Sequence, residues 1–89
     1  MAEVQMYVTP YCPYCVRAKA LLQRKGVPFQ EFNVEGDPEK RAWLAKATGM
    51  RTVPQIFIDG RSVGGCDDLH ALDRAGELDR LLGRSPSSP

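Results

Sequence analysis

Hydrophobic residues near the start of the chain first alternate with polar ones and then take helical spacing. Residues 4–8 alternate, which predicts a short strand with Met6 on one face and Tyr7 on the other. Cys12 at an N-cap position, followed by Pro13, predicts the start of a helix. The N–H that proline lacks would have no acceptor within the helix at this first position, so its absence costs nothing. Gly26 is placed to end this helix. Its apolar residues are Val16, Ala18, Leu21 and Leu22.

The middle of the chain predicts a second strand and a second helix. The apolar and polar residues of Phe29–Val34 are typical of a strand. Asp37 before Pro38 repeats the combination of a cap and a proline, and Gly49 is expected to end the helix that begins there. The apolar residues of this helix are Trp43, Leu44 and Ala47.

The last third of the chain predicts a hairpin followed by helical turns. A third strand is expected over 53–58, and Asp59-Gly60 is a strong tight-turn signal, so 61–63 should return antiparallel. After Gly64 and Gly65 a helix is expected to begin near Cys66, with an interruption at Gly76. The apolar residues of this region are Leu69, Leu72, Leu78, Leu81 and Leu82.

The order strand, helix, strand, helix, hairpin, helix predicts an α/β fold. The first strand-helix-strand unit should be a right-handed parallel crossover, and the hairpin should add two further strands. We therefore expect a four-stranded mixed sheet flanked on both faces by about three helices. Residues 1–83 are predicted to form one domain, and residues 84–89, rich in Ser and Pro, a disordered tail.

Composition narrows the classes of function. The 89 residues suffice for one domain, and the contents of 43% hydrophobic and 26% charged residues are ordinary for a globular protein. A net charge of +1 gives no electrostatic argument for nucleic-acid or membrane binding, and the apolar runs are too short to span a bilayer. The first six residues carry an acid where a signal peptide has its basic region, so a cytoplasmic protein is expected.

Cys12 and Cys15 are the residues with the strongest chemical signal. Three cysteines, two of them separated by two residues, make a poor disulfide framework for a secreted domain. Side chains three apart on a helix lie about 5–6 Å from each other, which is within the reach of a disulfide. A pair at the end of a strand and the start of a helix is typical of a thioredoxin-like redox motif.

The two sulfurs are expected to differ. Cys12 at the cap is predicted to be exposed and to face unpaired N–H groups, whereas Cys15, one turn further, is predicted to be shielded. A helix dipole supplies only about 0.3–1 kcal/mol, so a thiolate at the cap also needs hydrogen bonds. We expect these bonds from the N–H groups of Tyr14 and Cys15 and from the Cys15 thiol, with help from Arg17 or Lys19. Cys12 is therefore assigned as the attacking residue and Cys15 as the resolving one.

A zinc site is the alternative interpretation of these cysteines. Such a site would need four ligands. They would be Cys12, Cys15, Cys66 and His70. The last two would lie on a helix some fifty residues downstream of the first pair, and nothing about Pro13 and Tyr14 favours metal. We therefore predict no metal.

Three segments together resemble those of the dithiol glutaredoxins. They are Cys12-Pro13-Tyr14-Cys15, Thr52-Val53-Pro54 and Gly64-Gly65-Cys66-Asp67-Asp68. Their order and spacing also fit, and the similarity spans roughly residues 3–82. The chain most resembles the short bacterial type often called glutaredoxin 3.

This resemblance implies a thioredoxin fold with a groove for glutathione and a cis peptide bond between Val53 and Pro54. The Val53 backbone would pair with the cysteinyl part of glutathione as an added strand, and the helix start at Cys66 and Asp67 would hold the γ-glutamyl end. The residues that the resemblance assigns to glutathione are Tyr14, Thr52, Val53, Pro54, Gly65, Cys66 and Asp67. An oxidation-sensitive role for Cys66 stays open.

The chain departs from many relatives at Thr9, where they carry a lysine. The glycyl carboxylate of glutathione would then depend on another cation. We predict Arg51, because it adjoins the Thr52-Val53-Pro54 loop, with Arg41 as the alternative. A third interpretation is that both arginines are simply solvated.

The resemblance implies a glutathione-dependent thiol–disulfide oxidoreductase that reduces protein disulfides and protein–glutathione mixed disulfides. Glutathione would be its co-substrate, with no tightly bound cofactor. The chain would be a monomer that acts on disulfide-containing or glutathionylated proteins in electron transport and cell redox homeostasis. Two rivals stay open. Pro13 and Tyr14 argue against a thioredoxin reduced by a flavoprotein, and Cys15 argues against an iron–sulfur carrier that dimerises through Cys12 and glutathione.

Overall fold

The computed structural model describes residues 3–83 and contains four strands and four helices in that range. In chain order they are β1 (Val4–Val8), α1 (Pro13–Arg24), β2 (Gln30–Asn33), α2 (Pro38–Thr48), β3 (Gln55–Ile58), β4 (Arg61–Gly64), α3 (Cys66–Arg74) and α4 (Glu77–Leu81). No helix of this part of the chain is both long and apolar enough to cross a membrane. The tail predicted at 84–89 lies outside the described residues.

The four strands form one mixed sheet in the order β2-β1-β3-β4. β1 pairs with β2 in parallel and with β3 antiparallel, and β3 pairs antiparallel with β4. Asp59 and Gly60 join β3 to β4 with positive φ angles of 53° and 78°, the conformation of a tight hairpin turn. The predicted α/β fold with a four-stranded mixed sheet is confirmed.

Hydrophobic residues pack on both faces of this sheet. They form two clusters, one on each face. Because successive side chains of a strand point to opposite faces, alternate residues of β1 and β3 belong to different clusters. Met6 and Ile56 belong to the main cluster, which also contains the buried residues of α1, α3 and α4. Tyr7 and Phe57 belong to a smaller cluster with Leu44 of α2. The two faces that the alternation in β1 predicts are therefore both occupied.

The helix boundaries follow the predicted caps and prolines. Cys12 is the N-cap of α1, with Pro13 at its first position. The carboxylate of Asp37 caps α2 by accepting a hydrogen bond from the N–H of Lys40, with an oxygen–nitrogen distance of 3.0 Å. Gly49 ends α2 in the left-handed conformation with a φ of 74°, which glycine adopts without a side-chain clash.

Some predicted boundaries and burials were wrong. β3 begins at Gln55 rather than at Val53, because Pro54 has no N–H to donate to a neighbouring strand. Of the three apolar residues predicted for α2, Leu44 is buried, Trp43 is 46% exposed and Ala47 is exposed. Trp43 instead stacks its ring on that of Phe57 at the sheet surface, with a centroid separation of 5.8 Å.

Candidate active site

Cys12 lies where the loop after β1 enters α1. Its thiol donates to the backbone carbonyl of Val53, with a sulfur–oxygen distance of 3.6 Å, so the sulfur faces the loop before β3. The sequence predicted an exposed Cys12, but the residue is partly buried, because its side chain also packs on the main hydrophobic cluster. Within residues 3–83 its side chain makes no cap hydrogen bond, so the predicted bonds from the N–H groups of Tyr14 and Cys15 are not formed to the neutral thiol.

Cys15 lies one turn further along α1 and is only 4% exposed. The pKa of the Cys15 thiol is raised to about 12, mainly by burial and also by a hydrogen bond with the side chain of Cys12. A hydrogen bond with the backbone of Thr9 has a smaller, opposing effect on this pKa. At neutral pH Cys15 is therefore a protonated thiol beside Cys12. Cys15 is buried whereas Cys12 is only partly buried, which agrees with the predicted shielding of Cys15.

A cleft of about 230 Å³ lies between the start of α1, the loop before β3 and the start of α3. It is lined by the seven residues that the resemblance assigns to glutathione, namely Tyr14, Thr52, Val53, Pro54, Gly65, Cys66 and Asp67. Met50 and Asp68 line it as well, and the sequence did not indicate a lining role for either. We call this site the glutathione cleft. Its Val53–Pro54 peptide bond is cis, as predicted.

The start of α3 presents backbone N–H groups to the glutathione cleft. Gly65 is the N-cap, and the first intrahelical bond runs from the N–H of Leu69 to the Gly65 carbonyl at 2.9 Å. The N–H groups of Cys66 and Asp67 therefore precede the first bond of the helix and have no intrahelical acceptor. The Asp68 carboxylate accepts a hydrogen bond from the Gly65 N–H, with an oxygen–nitrogen distance of 3.1 Å, and so completes the cap of α3. The arrangement suits an anion bound at Cys66 and Asp67.

Two glycines before α3 make room for two different neighbours. Gly64 has a φ of 99°, and a Cβ there would overlap the Asp68 carboxylate. A Cβ on Gly65 would lie 3.2 Å from the Pro54 carbonyl oxygen. Gly64 therefore permits the cap by Asp68, and Gly65 permits the close approach of α3 to the loop before β3.

Cys66 is 5% exposed and lies at the first position of α3. Burial raises the pKa of its thiol and the charge of Asp67 raises it further, whereas the charge of Arg17 lowers it. His70 places Nδ1 2.9 Å from the Cys66 carbonyl oxygen and 3.5 Å from the Cys66 sulfur. Across residues 3–83 no three His, Cys, Asp or Glu side chains are grouped so that they could hold a metal ion.

Arg51 is not among the residues that line the glutathione cleft. It lines a narrow crevice beside the cleft, together with Arg41, Thr52 and Val53. Arg41 donates from Nη2 to the Arg51 carbonyl oxygen at 3.3 Å, so the two arginines are neighbours. The structure therefore places both predicted cations next to the Thr52-Val53-Pro54 loop, and both are exposed.

Comparison with known proteins points to the glutaredoxins. The family model described as Glutaredoxin matches residues 4–63. A glutaredoxin of Pseudomonas aeruginosa is 63% identical over 82 residues, which cover 92% of this chain and 98% of the relative. Glutaredoxin 3 of Escherichia coli is 57% identical over 82 residues, which cover 92% of this chain and 99% of the relative.

Solved structures agree with this result. A crystal structure of a buckwheat glutaredoxin–glutathione complex superposes with a TM-score of 0.88 at 33% identity, covering 92% of this chain and 77% of that one. A solution structure of a glutaredoxin from Brucella melitensis superposes with a TM-score of 0.83 at 54% identity, covering 92% of this chain and 89% of that one.

Proposed function

The chain belongs to the glutaredoxin family, with a thioredoxin fold, and we propose that Cys12 is the attacking thiolate and Cys15 the resolving thiol of its glutathione-dependent thiol–disulfide exchange. The observation that carries this assignment is the contrast between the two sulfurs. The Cys12 thiol donates a hydrogen bond to the carbonyl of Val53, a residue that lines the glutathione cleft, whereas the raised pKa of Cys15 keeps that thiol protonated at neutral pH. Because thiolates attack and thiols do not, only Cys12 is suited to start the reaction.

Glutathione binding in the cleft is supported by the chemistry of its lining. The cysteinyl backbone of the tripeptide would pair with the backbone at Val53, close to the sulfur of Cys12. The γ-glutamyl carboxylate would accept the N–H groups of Cys66 and Asp67, and the Asp67 carboxylate would bind the γ-glutamyl ammonium. The glycyl carboxylate would reach Arg51 or Arg41 in the adjoining crevice. The walls of the cleft would be closed by Tyr14, Thr52, Pro54 and Gly65.

Reduction of a protein–glutathione mixed disulfide needs only Cys12. The Cys12 thiolate attacks the glutathione sulfur, the mixed disulfide breaks, and the protein leaves as a thiolate that takes a proton from solvent. Cys12 then carries glutathione in a disulfide within the cleft. A second glutathione, as thiolate, attacks the glutathione sulfur of this intermediate, which releases oxidised glutathione and restores the Cys12 thiolate.

Reduction of a protein disulfide uses both cysteines. Cys12 attacks one sulfur of the substrate, and the other sulfur leaves. Cys15 then loses its proton and attacks the Cys12 sulfur, which releases the reduced protein and leaves a Cys12–Cys15 disulfide. Two glutathione molecules reduce that bridge. The first attacks the Cys12 sulfur and forms a mixed disulfide with it, and the second attacks the glutathione sulfur of that mixed disulfide and leaves as oxidised glutathione. The high pKa of Cys15 makes it a poor initial nucleophile but leaves it next to the sulfur that it must reach.

Single substitutions of the two cysteines test these roles. With glutathione, glutathione reductase and a small glutathione mixed disulfide, Cys12→Ser should abolish turnover, whereas Cys15→Ser should retain it. On a protein disulfide both variants should lose activity. Retained turnover in Cys12→Ser would reverse the assignment. Supplying thioredoxin reductase in place of the glutathione system is the control, and recovery of activity there would favour a thioredoxin instead.

We also propose that the chain acts as a cytoplasmic monomer, with residues 1–83 as one domain, on disulfide-containing and glutathionylated proteins. Its place would be in electron transport to such substrates and in cell redox homeostasis. The four-stranded sheet with both faces covered supports a self-contained unit. Light scattering at micromolar concentration should give the mass of one chain, and a mass of two chains would contradict the monomer.

A further inference from the structure

An open groove of about 810 Å³ runs along α2 and the loop that follows it. Three cations line it, Arg41 and Lys46 from α2 and Arg51 from the loop, and all three are exposed. We call this surface the α2 groove. Gly49, which ends α2, lines the α2 groove as well.

The three cations have no carboxylate partner in the part of the chain that the structure describes. The ion pairs of residues 3–83 involve Lys19, Lys25 and Arg80 instead. The net charge of the whole chain is only +1, so the positive charge of the α2 groove is a local feature rather than a property of the whole surface. Unpaired cations around a concavity attract an anionic partner by complementarity.

The α2 groove is continuous with the reaction site. Arg41 and Arg51 line both the α2 groove and the crevice that contains Thr52 and Val53. The carbonyl oxygen of Val53 accepts a hydrogen bond from the Cys12 thiol. A chain that enters the glutathione cleft with its modified cysteine therefore has the α2 groove beside it.

We propose that the α2 groove binds an acidic segment of the protein substrate while Cys12 attacks the glutathione sulfur of the substrate's mixed disulfide. This proposal rests on the proposed function and adds a preference among substrates. A peptide segment fits better than nucleic acid, because the cations number three and surround a short concavity rather than forming an extended basic face. Lys46 is the informative residue, since it lies in the α2 groove but not in the crevice beside the glutathione cleft.

The test uses three synthetic peptides that carry one glutathionylated cysteine flanked by glutamates, glutamines or lysines. Deglutathionylation is followed with glutathione and glutathione reductase for the wild type, Lys46→Glu and Arg24→Glu. Arg24 is the matched control, because Arg24 and Lys46 are the basic residues in the last turns of α1 and α2 and both are exposed. The two substitutions therefore change the net charge by the same amount. Each also places an acid at the C-terminal end of a helix, so their unfavourable interactions with the helix dipole are similar.

The acidic peptide should be the best wild-type substrate at low ionic strength, and Lys46→Glu should lower its kcat/KM by about threefold to fivefold, the size expected for one exposed charge pair. Arg24→Glu should change it by less than about twofold. The glutamine peptide should react equally with all three proteins, and the acidic preference should shrink at about 0.3 M salt.

Equal losses in Lys46→Glu and Arg24→Glu would overturn the proposal, since they would indicate only a net-charge effect. Equal wild-type rates on the three peptides would overturn it as well. Failure of the proposed function would look different, because the wild type would then not turn over the glutamine peptide either.

Discussion

Cys12 and Cys15 show how strongly the environment separates two identical side chains. They lie three residues apart, yet the Cys12 thiol donates a hydrogen bond to Val53 beside the glutathione cleft and Cys15 is buried in the first turn of α1. Burial penalises the charged form of a thiol and raises the pKa of Cys15 to about 12. The division of labour that we propose, attack by Cys12 and resolution by Cys15, rests on this difference in burial.

The raised pKa of Cys15 predicts a loss of stability in alkaline solution. Between about pH 8.5 and pH 12 the unfolded chain gives up the Cys15 proton while the folded chain keeps it, so the free energy of unfolding falls as the pH rises. From pH 7 to pH 10 the loss from this one group should be about 2 kcal/mol. Urea unfolding under reducing conditions measures it.

Cys15→Ser is the control for this pH dependence. The other groups with raised pKa values, among them Cys66 and Tyr7, remain in the variant and contribute equally. The wild type should therefore lose about 2 kcal/mol more than Cys15→Ser over the same pH range. Parallel pH profiles would contradict the burial of an un-ionised thiol at Cys15.

The start of α3 shows how one helix end contributes a wall of the site. Asp68 closes the outer side of the cap by binding the Gly65 N–H, and the N–H groups of Cys66 and Asp67 remain for a ligand. Gly64 makes room for the Asp68 carboxylate, because any Cβ at that position would overlap it. The cap, the glycine and the binding groups therefore form one structural unit.

Gly64→Ala should damage both stability and glutathione binding. The left-handed φ costs an alanine about 1 kcal/mol, and the overlap with Asp68 should add about 1–3 kcal/mol. Displacement of Asp68 should also raise the KM for glutathione severalfold. Gly36→Ala is the control, because Gly36 has a φ of 74° and a Cβ there would meet no other atom within 4 Å, so only the conformational cost applies. Urea unfolding and steady-state kinetics of both variants measure the two effects.

A double substitution identifies the source of the Gly64→Ala defect. With Asp68→Gly already present, both the carboxylate and the Cβ of residue 68 that obstruct the new Cβ are gone. Gly64→Ala should then cost about as much free energy of unfolding as Gly36→Ala does. An unchanged cost in the Asp68→Gly background would mean that contacts other than Asp68 require the glycine.

At the scale of the whole molecule, a lysine joins segments that are far apart in sequence. Lys25, just after α1, forms ion pairs with Asp73 of α3 and Asp79 of α4. The hydrogen bond with Asp73 raises the pKa of Lys25, against the desolvation that lowers it. These bonds support the packing of α1 against the two C-terminal helices on the main face of the sheet.

Lys25→Gln should lower the free energy of unfolding by about 1–2 kcal/mol at neutral pH, because two partly buried carboxylates lose their common cation. Lys19→Gln is the control. Its pair with Glu31 is more exposed, at 37% for each side chain, and should be worth less than about 0.5 kcal/mol. Chemical unfolding of both variants measures the difference, and equal costs would contradict the structural role of Lys25.

The charge of Lys25 also sets the pH at which this contribution disappears. Because its folded pKa is raised above the ordinary lysine value, the stabilisation is complete below that value and is lost as the pH rises through the folded pKa. The difference between wild type and Lys25→Gln should accordingly be constant from about pH 6 to pH 9, within about 0.3 kcal/mol. A steady decline over that range would exclude the ion pairs as its source.

The local pattern of the sequence determined the elements of this protein and its reactive pair. Alternation in residues 4–8, the proline after Cys12, the cap at Asp37 and the Asp59-Gly60 turn are interactions within a few residues, so the chain specifies them without knowledge of the fold. The spacing of Cys12 and Cys15, together with their place between a strand and a helix, likewise favoured redox chemistry over a metal site. Resemblance to a family, rather than spacing, supplied the cleft residues and the cis peptide bond.

Tertiary structure decided the features that depend on contacts between distant segments. The partial burial of Cys12, the exposure of Ala47, the place of Met50 and Asp68 in the cleft, and the position of Arg51 outside it all arise where separate elements meet. The high pKa of Cys15 belongs to this group too, because desolvation is caused by neighbours from the whole fold and not by adjacent residues. Sequence therefore specified the cysteine pair to which we assign the chemistry, and packing specified the burial of each sulfur.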